Sequence, residues 1–207
     1  MKTRAEIKAQ AKNLLHNNYG MCLVPFILYM LINAVASSMT MGIGSLLILP
    51  VVVGMHLVYL MQWRGENPPV ELMFTSAFQE NFLRKMGSMF LVSIYTFLWS
   101  LLFIIPGIVK TYAYAMTPYI LAKYPNVDAT SAIDISRRIM NGRKMDLFVV
   151  DLSFLGWNLL SLLTFGLLSI FYVAPYQLLT RAGCFDEYLA DALENGRISM
   201  DELKING

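Results

Sequence analysis

Three stretches of this chain contain no Asp, Glu, Lys or Arg, and nothing else constrains its fold as strongly. They run between Lys12 and Arg64, between Lys85 and Lys110, and between Asp151 and Arg181. About 20 apolar residues cross the hydrocarbon core of a bilayer. The first gap, of 51 residues, holds two spans; the last, of 29, holds one and most of another. Only 14% of the 207 residues are charged, against about a quarter in a soluble domain. The pattern predicts a multi-span membrane protein.

The charges that remain fall into clusters. Lys2, Arg4, Lys8 and Lys12 form the first, and Arg64, Arg84 and Lys85 the second. Lys123, Arg137, Arg138, Arg143 and Lys144 form the third, and a charged tail ends the chain. Spans are expected at about 20–38 and 43–62, 86–105 and 108–122, and 147–164 and 167–181. Turns fall in the Ser/Thr/Gly sequence after the first span, at Pro106-Gly107 and at Gly166. Basic residues mark the cytoplasmic side of a membrane. Of the 16 Lys and Arg, Lys110 alone lies outside the four clusters. The expected fold class is therefore all-α, a multi-pass membrane protein with six transmembrane helices in three hairpins, cytoplasmic amphipathic helices and both termini cytoplasmic. Its units are about 1–63, 64–123 and 124–182, with a charged tail over 183–207.

A basic start, an apolar run and Ala34-Val35-Ala36 also resemble a secretory signal. The basic region is unusually long for one, so the first segment is expected to be retained. Net charge is +2, and no basic run carries interleaved aromatics, so nucleic acid is not an expected partner. Cys22 and Cys184 have no metal-ligand spacing and fall near the expected cytoplasmic side, where thiols stay reduced. Neither a disulfide, a metal nor another cofactor is expected.

The second and third hairpins match each other. TSAF (75–78) answers TSAI (130–133), and Phe90 and Phe148 each precede a tryptophan, Trp99 and Trp157, by nine residues. MTPY (116–119) answers VAPY (173–176). The first hairpin matches only in outline. Both repeats start and end inside, so they are parallel rather than inverted. The lead-ins are amphipathic: Ile7, Ala11, Leu14 and Leu15 share a face, as do Ile135, Ile139 and Met140. Such helices lie in the membrane interface or pack beneath the bundle; both readings stand. The tail DEYLADALENGRISMDELK reads as a solvated helix.

Three runs together, RAEIKAQAKNLL, FIIPGIVKTYAYAMTPYILA (103–122) and SAIDISRRIMNGRKMDLFVVDLSFLGW (131–157), resemble the bacterial integral membrane proteins of domain-of-unknown-function family 975. The resemblance covers most of the chain and implies a six-helix protein of the bacterial cytoplasmic membrane. It implies no activity.

Candidate chemistry is sparse. Asp151 interrupts apolar sequence, about four residues inside Leu147, or some 6 Å at the helical rise. It is a structural or interfacial carboxylate, or a ligand or proton site, and Arg181 on the antiparallel last helix lies at matching depth. The aligned residue in the second hairpin is Ser93. Lys110, expected near the outer turn, either snorkels to headgroups or, with Tyr114 beside it and Tyr112 and Tyr119 on a second stripe, lines a cavity for an anion. An interfacial aromatic belt is the competing reading of these tyrosines. Pro118 and Pro175, at matching positions, are kink or hinge candidates. No hydrolase, metalloprotease or phosphate-loop motif occurs, and His16 and His56 have no carboxylate nearby in sequence. An enzyme is therefore not expected. The leading reading is binding or moving a small amphiphilic or anionic molecule, with lipids as partners. The alternative is an accessory or scaffold subunit whose cytoplasmic helices bind another membrane protein.

Overall fold

The computed structural model describes residues 2–40, 44–78, 81–102 and 104–204. The expected start of the second span, at 43, lies outside them, as do Met41–Gly42 of the turn before it. Every regular element among the described residues is helical. In chain order the helices are α1 (Arg4–Asn17), α2 (Tyr19–Met39), α3 (Gly44–Leu47), α4 (Leu49–Trp63), α5 (Leu72–Phe78), α6 (Phe82–Leu102) and α7 (Ile104–Tyr114). There follow α8 (Thr117–Lys123), α9 (Ala129–Ile139), α10 (Lys144–Leu152) and α11 (Leu155–Leu163). A π-helical turn (Ser169–Val173) leads into α12 (Ala174–Glu194), and α13 (Met200–Lys204) comes last.

Among the described residues, two segments are long and apolar enough to cross a membrane, Tyr19–Met39 and Lys144–Leu163. The second is α10 and α11, joined through a turn at Ser153 and Phe154. The other expected spans are helical too, but shorter, interrupted or, in α6, opened by the charged Arg84 and Lys85. Paired helices do form hairpins: α2 packs on α4, α6 on α7, and α11 on the π-helical turn. Gly166, at φ +83°, supplies the left-handed turn of the last pair.

The second member of each hairpin is broken just before a proline. Ile48 interrupts the chain before Pro50, Ala115 and Met116 before Pro118, and the π-helical turn before Pro175. Proline fits the first turn of a helix, where its missing N–H would bond nothing, but not the interior. Pro118 therefore opens helix α8, whereas Pro175 lies where the π-helical turn runs on into α12 without leaving right-handed helical backbone.

Helices α4 and α12 form the centre. Val51, Val53, Met55, Val58, Tyr59 and Leu60 of α4 are buried, as are Leu179, Ala182, Cys184, Phe185 and Leu189 of α12. They approach closely at Gly183, where any Cβ would stand 2.6 Å from the Trp63 indole. Helix α1 is started by a capping box between Thr3 and Glu6. It lies along α10 and α12, with Ile7, Ala11 and Leu15 buried. Each Ile or Leu so removed from water contributes about 1.5–3 kcal/mol.

Helix α9, capped by the Asp128 carboxylate on the Thr130 and Ser131 N–H groups, packs against the other helices, one of the two placements expected for the lead-ins. It lies on α6, α7, α8 and α12 and buries Ala132, Ile133, Ile135, Ser136 and Ile139. The acidic tail differs from the sequence reading, because it is not a solvated helix. Helix α12 runs through position 183 without a break, and Asp186 pairs with Arg64 and Lys123. Glu187 pairs with Lys2, Asp191 with Arg143 and Arg197, and Glu202 with Arg138. Periodicity shows which face of a helix is polar; it does not show that a partner of opposite charge is waiting for that face.

Candidate functional site

Asp151 occupies the last turn of α10, where the helix dipole disfavours a negative charge. Tertiary partners offset this. Arg181 of α12 donates from Nε at 3.1 Å and from Nη2 at 2.7 Å, one bond to each carboxylate oxygen. Such a bidentate pair is among the strongest charge-assisted contacts. Gln177, one turn before Arg181, donates at 3.2 Å, and the Tyr112 hydroxyl of α7 donates at 3.0 Å. Asp151 keeps 13% of its side-chain surface exposed and Arg181 36%. Antiparallel packing of α10 on α12 sets this register, since Arg143 meets Asp191 as Asp151 meets Arg181.

Just beyond the cluster, α1 closes the break between α10 and α11. Lys8 Nζ donates to the Ser153 hydroxyl at 2.8 Å and sits 4.5 Å above the Phe154 ring. Tyr176 donates to the Lys8 carbonyl at 3.1 Å. The carboxylate is thus held by α7, α10 and α12, with α1 across the adjoining turn. It is a closed, fully partnered group.

The other candidates lie apart from it. Tyr119 does not continue the Tyr112 stripe, because the break at Ala115 and Met116 separates α7 from α8. It stacks on Phe185 at 5.2 Å and meets His56 edge-on at 4.5 Å, with its buried hydroxyl unbonded. Tyr114 is buried beside Tyr95, at 6.3 Å between ring centroids. Lys110 rests 4.5 Å above the Trp99 ring. Helix α7, which carries it, packs on α6, α9 and α10.

A groove of about 430 Å³ runs between α7 and α10. Ile105, Ile108, Val109, Met145 and Phe148 line it, Tyr112 closes one wall and Lys144 stands at the rim. Its volume lies within the roughly 300–1,000 Å³ of small-molecule sites. Tyr112 belongs to both features: its ring meets Phe148 edge-on at 5.8 Å and its hydroxyl holds Asp151. Sequence reasoning missed the groove, since no charge or motif marks Ile105, Ile108 and Met145. Gln177 was findable, four residues before Arg181 and so on the same helical face.

A family model described as "Protein of unknown function (DUF975)" matches residues 103–187. No curated protein and no solved structure matches the chain. The matched stretch contains the whole Asp151 cluster and both walls of the groove.

Proposed function

We propose that this chain, a member of that family, is an integral membrane protein that binds a small amphiphilic molecule in the groove between α7 and α10. The observation that carries the reading is the groove itself, an apolar cleft of about 430 Å³ with a lysine at its rim. An amphiphile puts its chain on Ile105, Ile108, Val109, Met145 and Phe148 and its polar end beside Lys144. Where the chain reaches Tyr112 it meets a ring whose hydroxyl anchors Asp151, so occupancy and the α10–α12 pair are in contact. Binding of this kind needs no catalytic group, in keeping with a non-enzymatic role. Movement of the bound molecule would use the three proline-preceded breaks, at Pro50, Pro118 and Pro175, as hinges, one in each hairpin of a repeated plan.

The proposal includes membrane spans at Tyr19–Met39 and Lys144–Leu163, with both termini on the cytoplasmic side of a bacterial cytoplasmic membrane. Two apolar segments of spanning length support it in part, and the basic clusters give the orientation. Labelling of cysteines placed at Thr3 and at Thr164 checks the topology: Thr3 is expected to react only from inside and Thr164 only from outside. The accessory-subunit reading draws less support, because Asp186, Glu187, Asp191 and Glu202 are already engaged within the chain.

Thermal unfolding in detergent tests the binding. Added amphiphile is expected to raise the melting temperature, as any ligand specific to the native state does. Ile108→Trp, which fills the groove from an exposed position, is expected to abolish the rise. An equal rise in that variant sinks the reading.

A further inference from the structure

The groove between α7 and α10 is not open along its whole length. Its α7 wall runs from Ile105 through Ile108 and Val109 to Tyr112, and its α10 wall from Lys144 and Met145 to Phe148. Exposure falls along both walls in the same direction. Ile105 is 75% exposed, Ile108 48% and Tyr112 half-buried; Met145 is 67% exposed and Phe148 36%. Tyr112 and Phe148 are the last lining residues on their helices, and their rings meet edge-on at 5.8 Å, a favoured aromatic geometry. The groove is open at the Lys144 end and shut at the other by this pair of rings.

One of the two rings is also fixed from behind. The Tyr112 hydroxyl donates to the Asp151 carboxylate at 3.0 Å. Asp151 is in turn held by Arg181 and Gln177 of α12. A charge-assisted bond to so firmly anchored a carboxylate keeps the ring from swinging aside.

We infer that the groove measures the tail of its amphiphile, with the Tyr112–Phe148 ring pair as the stop and Asp151 as the positioning residue behind it. The inference rests on the proposed function and names the class of molecule, a single-tailed amphiphile of medium chain length. From Ile105 to Tyr112 the helical rise gives a wall of about 10 Å. An extended chain advances about 1.2 Å per bond, a third of the reach of one extended three-bond residue. A tail lying from the open end to the rings therefore has roughly eight to ten carbons. Up to that length each added methylene strengthens binding by roughly fourfold. Beyond it the surplus stays outside and adds nothing.

Native mass spectrometry in one non-ionic detergent tests this with uncharged monoacylglycerols from hexanoyl to hexadecanoyl. Wild-type affinity is expected to rise to decanoyl and then level off. Phe148→Ala, which removes half of the stop without touching Asp151, is expected to keep rising. Its dodecanoyl affinity relative to wild type should exceed its octanoyl affinity relative to wild type by about tenfold. Both proteins share one medium, so these ratios cancel what each probe loses to detergent. Tyr112→Phe keeps the ring and loses its anchor, and should change the ratios in the same direction by less. Wild-type affinity that still climbs through hexadecanoyl overturns the inference, as does a Phe148→Ala profile parallel to that of wild type. A Tyr112→Phe profile parallel to wild type removes Asp151 from it. If the wild-type protein binds none of the series, or Ile108→Trp binds it equally well, the proposed function itself is overturned.

Discussion

The two faces of α10 treat charge in opposite ways. Toward α12 and α1, Arg143 at its start meets Asp191, Asp146 meets Arg4 and Arg143, and Asp151 meets Arg181 and Gln177. Between them Leu147 and Val150 are buried. Toward α7, the same helix presents Lys144, Met145 and Phe148 to an apolar groove, with no anion opposite the lysine. A buried charge is costly unless it is paired and hydrogen-bonded, so the first face is built to stay shut. The second leaves its charge for something outside the chain. That difference, on nine residues of one helix, assigns structure to one side and ligand to the other.

Removing Asp151 attacks the closed face most directly. Asp151→Leu leaves Arg181 with no counter-charge, and the expected loss is about 2–3 kcal/mol. This is below the ~3–5 kcal/mol of a fully buried pair, because 36% of the Arg181 side chain remains exposed. Thermal unfolding in detergent measures it, and Asp151→Asn, which keeps the shape, is expected to lose less. If both variants unfold like the wild type, the contrast between the faces is gone.

Asp191→Ala removes the partner of Arg143 and Arg197 at the start of the same face. The expected cost is about 1 kcal/mol, the upper range for an exposed pair, because two arginines share the carboxylate. The hydrogen bond from Arg143 holds the Asp191 carboxyl below its ordinary range. A carboxyl depressed in the folded state stabilises above its unfolded value and loses that contribution as the pH falls through the folded one. Wild-type protein should therefore lose stability more steeply than Asp191→Ala as the pH falls below about 4.

Asp128, away from both faces, gauges an ordinary cap. Its hydrogen bonds with Ser131 and Thr130 bring its carboxyl down to about 2. Asp128→Ala is expected to cost about 1 kcal/mol, and the cap's contribution to fade as the pH drops from about 4 toward 2. Loss of α9 helicity by circular dichroism checks it. The smallest effect belongs to the open face. Lys144→Gln and Lys110→Gln should each shift stability by under about 0.5 kcal/mol. A cost near that of Asp151→Leu would mean that the lysines are structural as well.

Much of this was legible in the sequence. Charge-free stretches located the apolar helices, and antiparallel register brought Asp151 and Arg181 to one depth. Asp151 stood out because a carboxylate in apolar sequence normally has a reason. Lys110 read as a residue of the turn, and its seat on the Trp99 ring depends on the packing of α6 on α7, which sequence position does not show. The acidic tail misled because its partners outside the tail lie more than 40 residues away along the chain. Pro50 was passed over because no Pro-Tyr accompanies it, although it follows the same kind of break as Pro118 and Pro175. Helical periodicity reports faces, and long-range pairing decides what each face meets.

The most direct measurement places a benzophenone photo-crosslinker at Phe148, on the groove wall, and irradiates the protein in its native membrane before mass analysis. The account predicts one dominant adduct with the mass of an amphiphile, lost with Ile108→Trp. A ladder of adducts in the proportions of the bulk membrane lipids, unchanged in that variant, would contradict it.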